Sequence, residues 1–224
     1  KKRGIMKRIT NYWGSLILLF VYAVALIYFM TGLPSDTQIP MHWNARGEID
    51  GYFGKTGATL FGLGFSFGLF FLLYLLPLYS PRHRKDEERF EKVLPAVTFV
   101  TILFFVLINL YSYLIALYGN VIPVNFIFVL IGLLFVFLGN LLPKVPRNFF
   151  IGIRTPWTLT DGENWHRTHR LGAYLFVLGG ILMLLKAFVP YSARMFHTSS
   201  TILALVLVLY PLVYSFILFK RKRA

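Results

Sequence analysis

No cysteine occurs in the 224 residues, which excludes disulfide frameworks, thiolate chemistry and cysteine-ligated metals, leaving zinc only histidine and carboxylate ligands. Acidic residues are scarce, nine against 23 lysines and arginines, for a formal net charge of +14. No HExxH helix, nucleophile elbow, phosphate-binding loop or dinucleotide fingerprint is present. No Asp, Glu or His stands in the middle of a long apolar run, where ion-coupled carriers place such groups. These absences argue against an enzyme and weaken a transporter reading. A neutral solute path or a loop-lined site escapes the argument.

What the chain does have is apolar surface. Hydrophobic residues make up 57% of it and the mean hydropathy is +0.64, values of multi-spanning membrane proteins. Six apolar runs are long enough to cross as helices: Tyr12 to Thr31, Thr56 to Tyr79, Pro95 to Tyr118, Val121 to Leu142, Leu171 to Val189 and Ser199 to Phe219. The expected fold is therefore all-α, a polytopic six-span transmembrane helical bundle forming one integral membrane domain over 1–224. The first run follows KKRGIMKR and resembles a secretory signal, but no small-x-small cleavage site follows, so it is read as a retained span.

In a soluble protein the positive charge would suggest nucleic acid, but here it collects at the ends of apolar runs. The amino terminus, the Ser80 to Leu94 loop, the Pro143 to Arg170 loop and the carboxyl tail hold 19 of the 23 basic residues. That asymmetry predicts a membrane protein with both termini in the cytoplasm, and no direct nucleic-acid partner. The segment 32–55 then faces outward and 143–170 inward. Membrane lipid is the one partner that composition alone implies.

The longest polar interruption is RNFFIGIRTPWTLTDGENWHRTHR, Arg147 to Arg170. It reads as a loop followed by a helix that Thr160 or Asp161 caps, with Glu163 completing a capping box, and that helix runs on into the apolar segment at Leu171. Trp165 and His169 share a face, and Glu163 can pair with Arg167. The segment reads equally as an interfacial belt, with Trp at the headgroups and Arg on lipid phosphate. Its outward counterpart, HWNARGEIDG, sits in a Pro-, Gly- and Asp-rich stretch expected to be a compact loop. There His42 with Asp50 could ligate a metal, but a turn network using Gly47 and Gly51 is the preferred reading, and no metal or other cofactor is expected.

Smaller features have structural readings. Gly64 with Gly68, and Gly172 with Gly179 and Gly180, offer close-packing surfaces. Asn109 and Asn125 are expected inside spans as helix-to-helix glue, Pro211 should kink the last span, and Lys186 should snorkel to the interface. The Ser80 to Leu94 loop reads as a short helix with Arg84 to Glu88 and Glu88 to Lys92 pairs.

The inner block, Asn148, Ile151, Gly152, Ile153, Arg154, Thr155, Pro156, Trp157, Thr158 and Leu159 followed by Trp165, His169 and Arg170, resembles the signature of the SdpI family of bacterial membrane immunity proteins. Ile39, Pro40, His42, Asn44, Gly47, Asp50, Gly51 and Lys55 resemble that family's extracytoplasmic loop. The resemblance implies protection against a secreted toxin peptide, and in some members capture of a cytoplasmic transcriptional repressor. It would make His42, Asn44, Gly47, Asp50 and Lys55 the toxin-facing residues. The cytoplasmic motif would be Asn148, Gly152, Arg154, Thr155, Pro156, Trp157, Trp165, His169 and Arg170. A small-solute transporter, and behind it a membrane-embedded enzyme, are the alternatives.

Overall fold

The computed structural model describes residues 9–79, 87–119, 123, 125–190 and 192–222. In chain order its elements are α1 (Trp13–Gly32), β1 (Gln38–Trp43), β2 (Ile49–Gly54), α2 (Lys55–Tyr79), α3 (Glu87–Tyr118), α4 (Phe126–Leu141), a 3-10 turn (Leu142–Lys144), α5 (Pro156–Thr160), α6 (Gly162–Lys186) and α7 (Arg194–Arg221). All but α5 among the helices are long and apolar enough to cross a membrane, α4 together with its following turn. The protein is a six-span, multi-pass α-helical membrane protein, as composition predicts.

Two spans start earlier than hydropathy suggests. The short helix expected before Pro95 and the third span are one helix, because Phe90, Val93, Leu94 and Val97 continue a single buried stripe across the proline. Glu88 and Lys92 pair on its exposed side at 2.6 Å, while Arg84 lies outside the described residues. The last span begins at Arg194 rather than Ser199.

Helix α3 is the spine of the amino-terminal half, against which α1, α2 and β1 pack, while α4, α6 and α7 form the other half and meet it along α3 and α4. Backbones approach most closely where α4 crosses α6: a Cβ on Gly132 would lie 2.7 Å from Gly180 O, and one on Gly180 2.7 Å from Gly132 O. Gly64 and Gly68, by contrast, face open space, so that glycine pair makes no helix contact among the described residues.

Polar glue joins α1 to α3. Buried Tyr22 donates its hydroxyl to Asn109 Oδ1 at 2.7 Å, and Gly62 leaves room for that pair. Tyr22→Phe strands a buried acceptor on Asn109 and is expected to cost about 1–3 kcal/mol, to be read as a lower unfolding temperature of the detergent-solubilised protein. Asn125 is different from expectation. It precedes α4 instead of lying in a span, and ties the α3–α4 loop to the α6–α7 loop by donating to Val189 O at 3.1 Å.

The 32–55 stretch is a two-stranded antiparallel hairpin, not a plain loop. Its register pairs Gln38 with Gly54, Ile39 with Phe53 and Pro40 with Tyr52, then shifts so that His42 opposes Gly51 and Trp43 opposes Ile49. Ile39 anchors it in the α1–α2–α3 core. The tip is an Asx turn: Asn44 Oδ1 accepts from Arg46 N at 2.9 Å and Glu48 N at 3.1 Å, and Gly47 takes φ +87°. That left-handed glycine rests on Phe128, whose ring a Cβ would meet at 2.7 Å.

Candidate functional site

The hairpin and the 142–161 segment lie at opposite ends of the bundle, and each is a packed polar structure. At the first end, His42 Nδ1 and Asp50 Oδ1 approach to 2.5 Å across the strands, both largely exposed. Asn44 Nδ2 donates to Glu48 Oε2 at 2.6 Å, and Arg46 closes on the same oxygen at 2.7 Å. The Asn44 amide, with Arg46 behind it, holds the Glu48 carboxyl below the usual carboxylate range. Lys55 turns away from this surface: it is buried, and its Nζ donates to Met30 O at 3.0 Å and Leu33 O at 2.6 Å, capping the end of α1.

Lys186 departs most from expectation. It does not snorkel. Its side chain is completely buried at the end of α6, donating to Ala45 O at 2.8 Å and to Thr201 Oγ1, with Nζ 3.7 Å from the Phe128 ring centroid. Thr201 Oγ1 reaches the same Ala45 carbonyl at 2.9 Å. The hairpin tip is thus latched onto α4, α6 and α7. Sequence reading missed Thr201 and Phe128 because neither carries a distinguishing spacing. A lone basic residue closing an apolar run was the available clue.

At the other end, buried Asn148 organises the signature loop with all four of its hydrogen bonds. Nδ2 donates to Pro146 O (2.8 Å) and Ile151 O (3.0 Å), while Oδ1 accepts from Phe150 N and Ile151 N, both at 2.7 Å. The chain then turns at Gly152, φ +102°, so closely over His169 that a Cβ would collide with Nε2. Ile153 N donates to that same Nε2 at 3.1 Å, and His169 Nδ1 meets Trp165 O at 2.8 Å. These two bonds assign the neutral imidazole with its proton on Nδ1. Trp165 stacks on it with centroids 4.0 Å apart and donates Nε1 to Val145 O at 3.0 Å.

The capping box is on α5 rather than α6: Thr155 and Thr158 cap one another reciprocally, with Pro156 in the first turn. On α6, Asp161 is the cap, accepting from Glu163 N at 2.9 Å, and Glu163 pairs instead with Arg167 at 3.3 Å. Lys222 sits 2.9 Å from Asp161 and holds that carboxyl below its ordinary range. Ser215 of α7, unmarked in the sequence, ties the whole together: Trp157 Nε1 donates to its Oγ at 2.6 Å and Asn164 Nδ2 to its carbonyl at 2.9 Å.

Residues 144–215 match the family model described as SdpI/YfhL protein family. Over this segment the chain is similar to the SdpI/YfhL family. The hairpin block falls under a second match, Domain of unknown function (DUF1648), over residues 16–65. No curated protein and no solved structure matches the chain. The SdpI/YfhL segment contains the signature loop, α6 and most of α7, and the Lys186 latch is where it grips the hairpin of the other segment. Within its signature, Asn148, Gly152, Thr155, Trp165 and His169 point inward and build the loop. Arg154, Pro156 and Arg170 are exposed, and Trp157 lies half-buried against Phe216 and Phe219.

Proposed function

We propose that this protein is an immunity protein of the bacterial inner membrane that protects its cell against a secreted toxin peptide, without enzymatic turnover. Both termini lie in the cytoplasm, the chain acts as one integral domain, and the toxin meets the hairpin around His42, Asn44 and Asp50. The observation that carries this reading is that one helix holds both polar structures. Helix α6 has Lys186 at its outer end, gripping the hairpin, and Trp165 with His169 at its inner end, gripping the signature loop. Its 25 residues span about 37 Å at 1.5 Å per residue, enough to join the two faces of a bilayer. A toxin that binds one hairpin position better than another biases α6 and with it the exposed inner surface of Arg154, Pro156 and Arg170. That surface is the docking face proposed for a cytoplasmic repressor.

The test is survival of a sensitive bacterium challenged with secreted toxin peptides, comparing the wild-type protein with His42→Ala and Asp50→Asn at equal membrane abundance. Both exposed substitutions are expected to reduce survival to that of cells lacking the protein. Undiminished protection in both would remove the hairpin from toxin recognition.

A further inference from the structure

Between α3, α4 and α6, directly under the signature loop, lies a groove of about 330 Å³. Its walls are apolar, with Val97 from α3, Leu138 from α4, Phe176 from α6 and Ile151 from the loop, and Arg154 is the single charged residue that lines it. Arg154 is exposed, and its one hydrogen bond among the described residues goes from Nη1 to Phe149 O at 2.8 Å. No carboxylate among the described residues lies within ion-pair distance of it.

We infer that this groove binds one anionic phospholipid, an acyl chain lying along the apolar walls and the phosphodiester held by Arg154. Three observations select that occupant. Val97, Thr101, Leu138, Leu141 and Phe176 of its lining belong to membrane-spanning helices, so acyl chains are the natural apolar neighbours of that wall. An apolar groove whose lining includes one guanidinium with no carboxylate beside it among the described residues matches a molecule with an apolar chain and one phosphate. The guanidinium is already oriented by Phe149 O, which lowers the entropy lost on binding. The signature loop thereby shapes a lipid site, independently of whether a toxin is ever recognised.

The experiment uses the full-length protein in lipid nanodiscs with spin-labelled phosphatidylglycerol and phosphatidylcholine of identical acyl chains. Wild-type protein is expected to retain one motionally restricted lipid beyond its boundary shell and, at that site, to prefer phosphatidylglycerol by about fivefold or more, the effect of one basic residue at a lipid surface. Arg154→Gln, which keeps a donor for Phe149 O, should bring that preference close to unity while the restricted lipid remains. Leu138→Trp, filling the trough, should reduce retention of both lipids. Arg170→Gln, removing an exposed charge that does not line the groove, should leave the preference intact. An equal loss of preference in Arg170→Gln and Arg154→Gln would replace the site with a diffuse basic belt. Unchanged preference in Arg154→Gln would overturn the inference outright.

Discussion

Replacing Gly152 with alanine is expected to destabilise the protein by about 2–5 kcal/mol, the sum of backbone strain and overpacking. The strain comes from φ +102°, a conformation that L side chains rarely adopt. The overpacking comes from His169, whose Nε2 occupies the space a Cβ needs. The imidazole cannot swing clear cheaply, because both ring nitrogens are bonded and one face is covered by Trp165. Unfolding temperature in detergent measures the loss. The double variant Gly152→Ala with His169→Ala separates the two causes: if the collision matters, it loses less than the sum of the single variants. Strict additivity would leave backbone strain as the whole effect.

The second large effect is local rather than global. In Lys186→Met the volume is kept, while the hairpin tip loses a charged donor to Ala45 O, a bond worth about 1.5–3 kcal/mol. Opening of the Asn44–Glu48 turn should become about 10- to 100-fold more frequent. Amide exchange at Gly47 and Asn44, whose N–H groups bond Asn44 O and Glu48 O, reports it directly. Overall stability should change much less, because Lys186 is buried without a carboxylate partner among the described residues and methionine removes the desolvation cost of that charge. Unchanged exchange at the turn would mean that Thr201 and Phe128 suffice to hold it.

These two positions also mark how far the sequence could be read. The spans were legible because apolar run length is a local property set by bilayer thickness. The exposed or buried role of each signature residue was not. Asn148 and His169 satisfy backbone groups of the loop and of α6, and only folding brings Gly152 to His169. The hairpin was hidden by Pro40 and by register shifts on either side of His42, which break the alternation that announces a strand. Lys186 looked free to reach water because its acceptor is a backbone carbonyl 141 residues away, and a carbonyl has no sequence signature. The glycine pairs show the same limit: Gly64 with Gly68 fits the packing motif, yet Gly132 and Gly180 on different helices make the contact.

The measurement that bears most directly on coupling between the two ends of the bundle is amide exchange of the signature loop, residues 147–155, in intact Lys186→Met. The substitution lies at the far end of α6 from that loop. If α6 couples the two structures, exchange at Phe150 and Ile151, whose N–H groups are held by Asn148, should rise along with exchange at the hairpin tip. A hairpin that loosens while the signature loop keeps wild-type protection would contradict the coupling and leave two independent structures on one bundle.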